Sequence, residues 1–248
     1  MLQDNPIKLR PLKADLHIHT AEDPLDRVHY TARELILGAA EEGFEVLAIT
    51  NHQRRTFDQE LFSFARDLGI LLIPGMEITV QNRHVLLLNP PPNTFFPDFP
   101  SLAAMNRPDS LVIAPHPYFP GLHSLNGFLK DNLNFFHALE YCHFYSPHID
   151  FNQRAIELSR SSGLPLLGNS DAHFLEQLGT TFSLIYASKD MESIFSAIRQ
   201  GKVDVVTTPL SILQMGNFIG RFLRWKMRGK KSRSQRRKMG RPYSGVHL

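Results

Sequence analysis

His17 and His19 stand two residues apart in "KADLHIHTAED" (13–23), at the end of an apolar run. On a half-buried strand alternate side chains share a face, so both imidazoles look toward one spot. Asp171 and His173 repeat the spacing in "GNSDAH". More such groups follow apolar runs of their own: His52 in "AITNH", Glu77 in "IPGMEIT" and His116 in "VIAPHP", while His84 opens a run after "VQNR". Imidazole and carboxylate are ligands of borderline divalent metals such as zinc, manganese and iron, and the single cysteine, Cys142, excludes a thiolate site. Six histidines and two or three carboxylates exceed what one ion needs. They suit a cluster of two or three ions, roughly 3.5–4 Å apart, that activates water and clamps a phosphate. One His-x-His pair on a strand is ordinary packing. Such groups after several separate strands are not, because buried imidazoles and carboxylates without partners are costly.

The elements that must position these residues are legible. Apolar, β-rich runs cover 14–17, 46–50, 70–73, 76–80, 84–88, 111–114, 138–142, 164–167, 182–187 and 203–206. Helical patterns lie between several of them. The one over 32–42 has Thr31 as N-cap, Glu34 to complete a capping box and Gly43 as its stop. Those over 58–68, 152–162 and 190–200 stop at Gly69, Gly163 and Gly201. Strand, helix, glycine, strand is the rhythm of βαβ units on a parallel sheet. So many units in about 210 residues predict a closed or nearly closed barrel, with active groups where strands end. The segment "NPPPNTFFPDFP" (89–100) reads as a surface loop.

Read in order, "DLHIHT", "AITNH", "IPGMEIT" with the following histidine, "APHP" and "GNSDAH" resemble the motifs of the PHP superfamily, named for polymerase and histidinol phosphatase. The resemblance spans about residues 13–208. It implies an α/β fold, a distorted (β/α)7 barrel, with two or three metal ions and phosphoester hydrolysis. Carried over by motif, His17 and His19 bind one ion with Asp171, Glu77 bridges, and His52, His84, His116 and His173 complete the others. Two positions depart from the pattern. The second motif usually reads Thr-Asp-His and here is Thr50-Asn51-His52, which removes a carboxylate beside the ligand. The first usually continues to Ser-Asp-Gly and here reads Glu22-Asp23-Pro24. Asp23 is the choice for the family's aspartate, with Asp26 second. Arg54 and Arg55 follow His52 directly and are candidates to hold a substrate phosphate, as is His143 in "LEYCHFYS", which ends a strand on the same rim. Glu140 sits one pleat deeper than a ligand would. His29, His123, His137 and His148 carry no signal.

The charge is divided. The segment 221–241 holds 11 Lys and Arg, and no Asp or Glu follows Asp204. The first 204 residues therefore carry 16 basic against 24 acidic side chains, a net of −8. The pattern Ile212, Met215, Ile219, Phe222 predicts an amphipathic helix within 209–228, after a barrel domain over 1–208. A basic tail over 229–248 has too little apolar content to pack, and either stays solvated or meets an anionic partner. One cysteine and no apolar leader suit the reducing cytoplasm, and no run of about 18 apolar residues marks a membrane span. The reading that follows is a metal-dependent phosphoric ester hydrolase acting on a phosphomonoester, a nucleotide or a nucleic-acid phosphoester. The competing reading is a degenerate barrel that binds or scaffolds through its tail. Ligand completeness favours the enzyme.

Overall fold

A computed structural model describes residues 10–92, 95–221 and 224. The expected basic tail lies outside the described residues. The chain divides into two compact units, Met1–Pro209 and Leu210–Leu248. In the first, β1 (Leu12–Ile18), α1 (Ala32–Glu41), β2 (Val46–Ile49), α2 (Gln59–Asp67), β3 (Leu71–Val80), β4 (Arg83–Leu88) and β5 (Leu111–Ala114) follow in order. Then come α3 (Gly127–Asp131), β6 (Ala138–Tyr141), α4 (Gln153–Ser162), β7 (Leu166–Gly168), β8 (Thr181–Ile185), α5 (Met191–Arg199) and β9 (Val203–Thr207). In the second unit residues 212–221 are helical. Ser211 caps that helix through reciprocal hydrogen bonds with Gln214. No helix among the described residues is long and apolar enough to cross a membrane.

Nine strands form one sheet among the described residues, in the order β7-β6-β5-β4-β3-β2-β1-β8-β9. The sheet is longer than the seven strands the resemblance implies, and mixed where the sequence rhythm predicts parallel strands. Four pairings are antiparallel: β3 with β4, β4 with β5, β1 with β8, and β8 with β9. The β3–β4 hairpin turns on Gln81 and Asn82, both at positive φ (47° and 62°), the backbone of a tight primed turn. The two runs expected on either side of Pro74-Gly75 are one strand. Pro74 is the last residue paired with β2 and Gly75 the first paired with β4, so the missing amide falls where the strand changes partner.

The sheet curls into a nearly closed barrel. Gly168 of β7 is the point of closest approach: a Cβ there would lie 2.5 Å from the Phe182 carbonyl oxygen of β8. Its amide donates instead to Ser183 Oγ at 3.0 Å. Leu12, Ala14, Leu16, Val46, Ala48, Ile73, Leu86, Leu88, Ile113 and Leu167 fill the interior together with Ile194, Phe195 and Ile198 of α5. Arg199 at the end of α5 donates to the carbonyls of Arg107, Pro108 and Ser110, just before β5 begins. The helix therefore plugs the end where strands start, and polar side chains take the other end.

One irregularity aims the first motif. Asp15 pairs with Leu47, but the next pairing is Ile18 with Ile49, so β1 carries one residue more than β2 between them. Such a bulge shifts the alternation by one. Below it Leu12, Ala14 and Leu16 belong to the barrel interior; above it Ile18 packs outside with Leu35, Ile36 and Ile49. His17 and His19 are left facing inward at the mouth, fully buried.

Candidate metal centre

At the mouth four ligand atoms converge. His17 Nε2 lies 3.3 Å from His19 Nε2 and 3.3 Å from Asp171 Oδ1. His19 Nε2 lies 3.4 Å from both Asp171 Oδ1 and Glu77 Oε2, and His17 Nε2 lies 3.6 Å from Glu77 Oε2. A tetrahedron with metal–ligand bonds of about 2.0–2.1 Å has edges 1.63 times longer, about 3.3–3.4 Å. Four of these five separations match that figure, and two imidazoles with two carboxylates are a suitable donor set. The residues fit a divalent ion.

Glu77 links this group to the next. Its Oε2 lies 3.1 Å from His52 Nε2, and its Oε1 lies 2.8 Å from His84 Nδ1 and 3.5 Å from His116 Nε2. Oε1 is buried yet receives no well-directed hydrogen bond, and neither does His116 Nδ1. The hairpin explains why Glu77 meets His84: His84 is directly opposite Thr79, one pleat from Glu77 on the same face. A third group gathers on the far side. His173 Nε2 is 2.8 Å and His52 Nδ1 3.6 Å from Asp26 Oδ2. His19 with Asp171 and His173, and His19 with Asp23 and His52, also lie within reach of one ion.

The expected aspartate, Asp23, is occupied from behind. Its Oδ2 receives His19 Nδ1 at 2.8 Å, His52 Nδ1 at 2.9 Å and the His52 amide at 2.8 Å, while Oδ1 accepts the amides of Leu25 and Asp26. Glu140, one layer below the mouth, braces the other side. Its Oε1 accepts His17 Nδ1 at 2.9 Å and Asn169 Nδ2 at 2.8 Å, and its Oε2 accepts the His116 amide at 2.7 Å. Asn51, where the motif usually has aspartate, accepts the Thr20 amide and donates to the hydroxyls of Thr20 and Thr56. It ties the ends of β1 and β2 with no carboxylate.

Backbone and charge are both under load here. His116 and Asp171 adopt positive φ (30° and 45°), conformations that cost non-glycine residues about 1–3 kcal/mol each and gather at functional sites. Burial opposes charge throughout, and pairing overrides it. Glu140, Asp171 and Glu77 hold the His17 imidazole well above its usual range; Asp171, Asp23 and Glu77 do so for His19. Glu77 and Asp171 are driven well below the usual carboxylate range by the surrounding imidazoles. On His84 burial prevails and the pKa falls. So many imidazoles and carboxylates in one buried pocket form a donor set that could hold divalent metal ions.

Other expected residues are placed less centrally. Arg54 is exposed and donates to the Glu22 carbonyl at 3.2 Å. Arg55 lies over the Phe57 ring, its Nε buried without a partner. His143 is buried on the rim, and burial pushes its pKa down to about 4.

A family model described as PHP-associated matches residues 150–203, the stretch from before α4 to the start of β9 that contains "GNSDAH". PsfC from Pseudomonas syringae superposes with a TM-score of 0.63 at 17% identity, covering 88% of this chain and 99% of its own. A structure described as a metal-dependent phosphoesterase from Bifidobacterium adolescentis gives 0.53 at 16%, covering 66% of this chain and 89% of its own. The chain shares the fold of these two proteins. The lesion-specific endonuclease Q of Pyrococcus furiosus shares the fold at a TM-score of 0.58 and 17% identity; the match covers 78% of this chain and 57% of that enzyme. An uncharacterized protein of Methanocaldococcus jannaschii is 29% identical over 120 residues, 44% of this chain and 70% of its own length.

The mouth also gathers residues with no motif to announce them. Asp26 is the second choice on motif spacing, and Glu140 lies one layer below the mouth. Gln177 carries no sequence signal: its Oε1 accepts the amides of His173 and Phe174, both at 2.9 Å, and so fixes the last histidine's loop.

Proposed function

We propose that this chain is a metal-dependent phosphoesterase working at the barrel mouth. The observation that carries the reading is the set of ligand atoms at tetrahedral edge lengths, continued through Glu77 to a second group of imidazoles. His17, His19, Glu77 and Asp171 hold one ion. Glu77 bridges to a second held with His84 and His116, and His52 stands between this group and a third formed with His173 and Asp26. Asp26 replaces Asp23 as the third carboxylate, because five donors already occupy Asp23. Bound divalent ions of the zinc, manganese or iron type supply Lewis acidity and a nucleophilic water at neutral pH. The chain's own residues do the rest. Glu140 and Asp23 fix ring orientation by accepting from Nδ1, which leaves Nε2 free to coordinate. Buried carboxylates balance the ions' charge, and Arg54 and Arg55 at the rim offer guanidinium groups to the substrate's phosphate. The likeness to endonuclease Q brings nucleic-acid phosphodiesters into the substrate class beside small phosphomonoesters.

Two measurements test this. Elemental analysis after metal-supplemented expression should give two or three ions per chain; less than about half an ion refutes the reading. Release from chromogenic phosphate monoesters and diesters should fall at least 100-fold in kcat for Asp171→Asn, since removal of one ligand raises the barrier by several kcal/mol. Retention of more than a tenth of wild-type kcat refutes the assignment of Asp171.

A further inference from the structure

His143 is not among the ligand trios, yet its surroundings prescribe its chemistry. The side chain is more than nine-tenths buried and lies in the field of Asp171, Glu140, His173 and His17. Its Nε2 lies 3.2 Å from Gln177 Nε2. Which end of the Gln177 amide faces His143 is fixed elsewhere. Gln177 Oε1 accepts two backbone amides, His173 and Phe174, and backbone N–H groups cannot reverse. The Gln177 amino group must therefore face the ring and donate. His143 Nε2 must accept, and the proton of the neutral ring sits on Nδ1. Protonation of Nε2 would set two donors against each other in a buried site. Nδ1 has no hydrogen-bond partner among the described residues.

We propose that His143 is a neutral hydrogen-bond donor, through Nδ1–H, to a non-bridging phosphoryl oxygen of the substrate, with Gln177 locking its tautomer. This rests on the phosphoesterase reading and deepens it. It also separates His143 from acid–base work. A neutral imidazole whose one lone pair is taken by Gln177 has no free lone pair for a proton and gives up Nδ1–H only to a very strong base. Its contribution is a fixed dipole aimed where negative charge grows, a role in which losing one donor costs roughly 100-fold.

The tests use the zinc-loaded full chain. Long-range proton–nitrogen NMR should show His143 as the Nδ1–H tautomer, and titration with inorganic phosphate should move its Nδ1 signal. His143→Asn keeps an N–H near the Nδ1 position and should retain kcat/KM within about fivefold, with an unchanged pH profile. His143→Gln places its amide near Nε2 and should lose roughly 100-fold, as should His143→Leu, all three with wild-type metal content. An Nε2–H tautomer, an Nδ1 signal indifferent to phosphate, or His143→Leu within threefold of an active wild type overturns the proposal. Loss of one limb of the pH profile in His143→Asn overturns it in favour of a general acid or base. A metal-loaded wild type that releases no phosphate overturns the phosphoesterase reading, and this proposal with it.

Discussion

Glu140→Gln isolates the brace from the ligands. Three donors reach the two oxygens of Glu140: His17 Nδ1 and Asn169 Nδ2 on Oε1, and the His116 amide on Oε2. A carboxylate accepts at both ends and glutamine at one. If the new amino group takes the Oε2 place, it faces the backbone N–H of His116, which cannot turn. In the Oε1 place it faces Asn169, whose own Oδ1 is committed to the Leu16 amide at 2.9 Å, and His17. His17 could then escape only by moving its proton to Nε2, which would point that proton at Asp171 and block the ligand lone pair. Either way one buried donor is left unmet, a cost of about 1–3 kcal/mol. The metal group loses the carboxylate behind its imidazole, typically a 10–100-fold loss of affinity, or about 1.4–2.8 kcal/mol. Competition with a chromophoric chelator measures the second effect, and urea unfolding of the metal-free protein the first. Affinity within threefold of wild type, with stability unchanged within about 0.5 kcal/mol, refutes the bracing role.

Asn51→Asp should be tolerated within about 1 kcal/mol in urea unfolding, because the Thr20 and Thr56 hydroxyls can rotate to donate; a cost above about 2 kcal/mol would show that the amide protons are required. Gly168→Ala should destabilise by about 2 kcal/mol or more, since its Cβ would press on a backbone carbonyl, and a change under 0.5 kcal/mol would mean the barrel seam yields freely. His137, whose Nδ1 accepts the Val112 amide at 2.9 Å, is pushed down to about 4 by burial beside Arg199. The unfolded chain then takes up the proton first, so this contribution is full above pH about 6.5 and is lost as pH falls toward 4. From pH 7 to pH 5 the metal-free wild type should lose about 1–2 kcal/mol more than His137→Asn, after allowance for partial exposure; equal losses refute the assignment.

Much of this molecule is legible in its sequence because most candidate ligands close an apolar run and His84 opens one. The α1 capping box forms as read, with the Thr31 amide on Glu34 Oε2 at 2.7 Å. The run at 111–114 is β5 without change of bounds. Errors fall where tertiary context decides. Pro74-Gly75 reads as a break, and only a strand changing partners makes it continuous. β4 and β8 enter the sheet antiparallel, which period-two patterns cannot distinguish from parallel. The parts of Glu140 and Gln177 depend on bonds across 123 and 34 residues of chain, which no local spacing encodes.

The extra residue in β1 turns a matter of spacing into one of parity. Pairing the same residues without the bulge would carry the lower alternation upward and swing His17 and His19 outward, where α1 and α2 present Leu35, Ile36 and Leu61. Two imidazoles would enter an oily layer without acceptors, while Ile18 would be thrust among carboxylates. The misregistered strand is thus penalised on both faces at once, and the bulge guards the fold as well as the site.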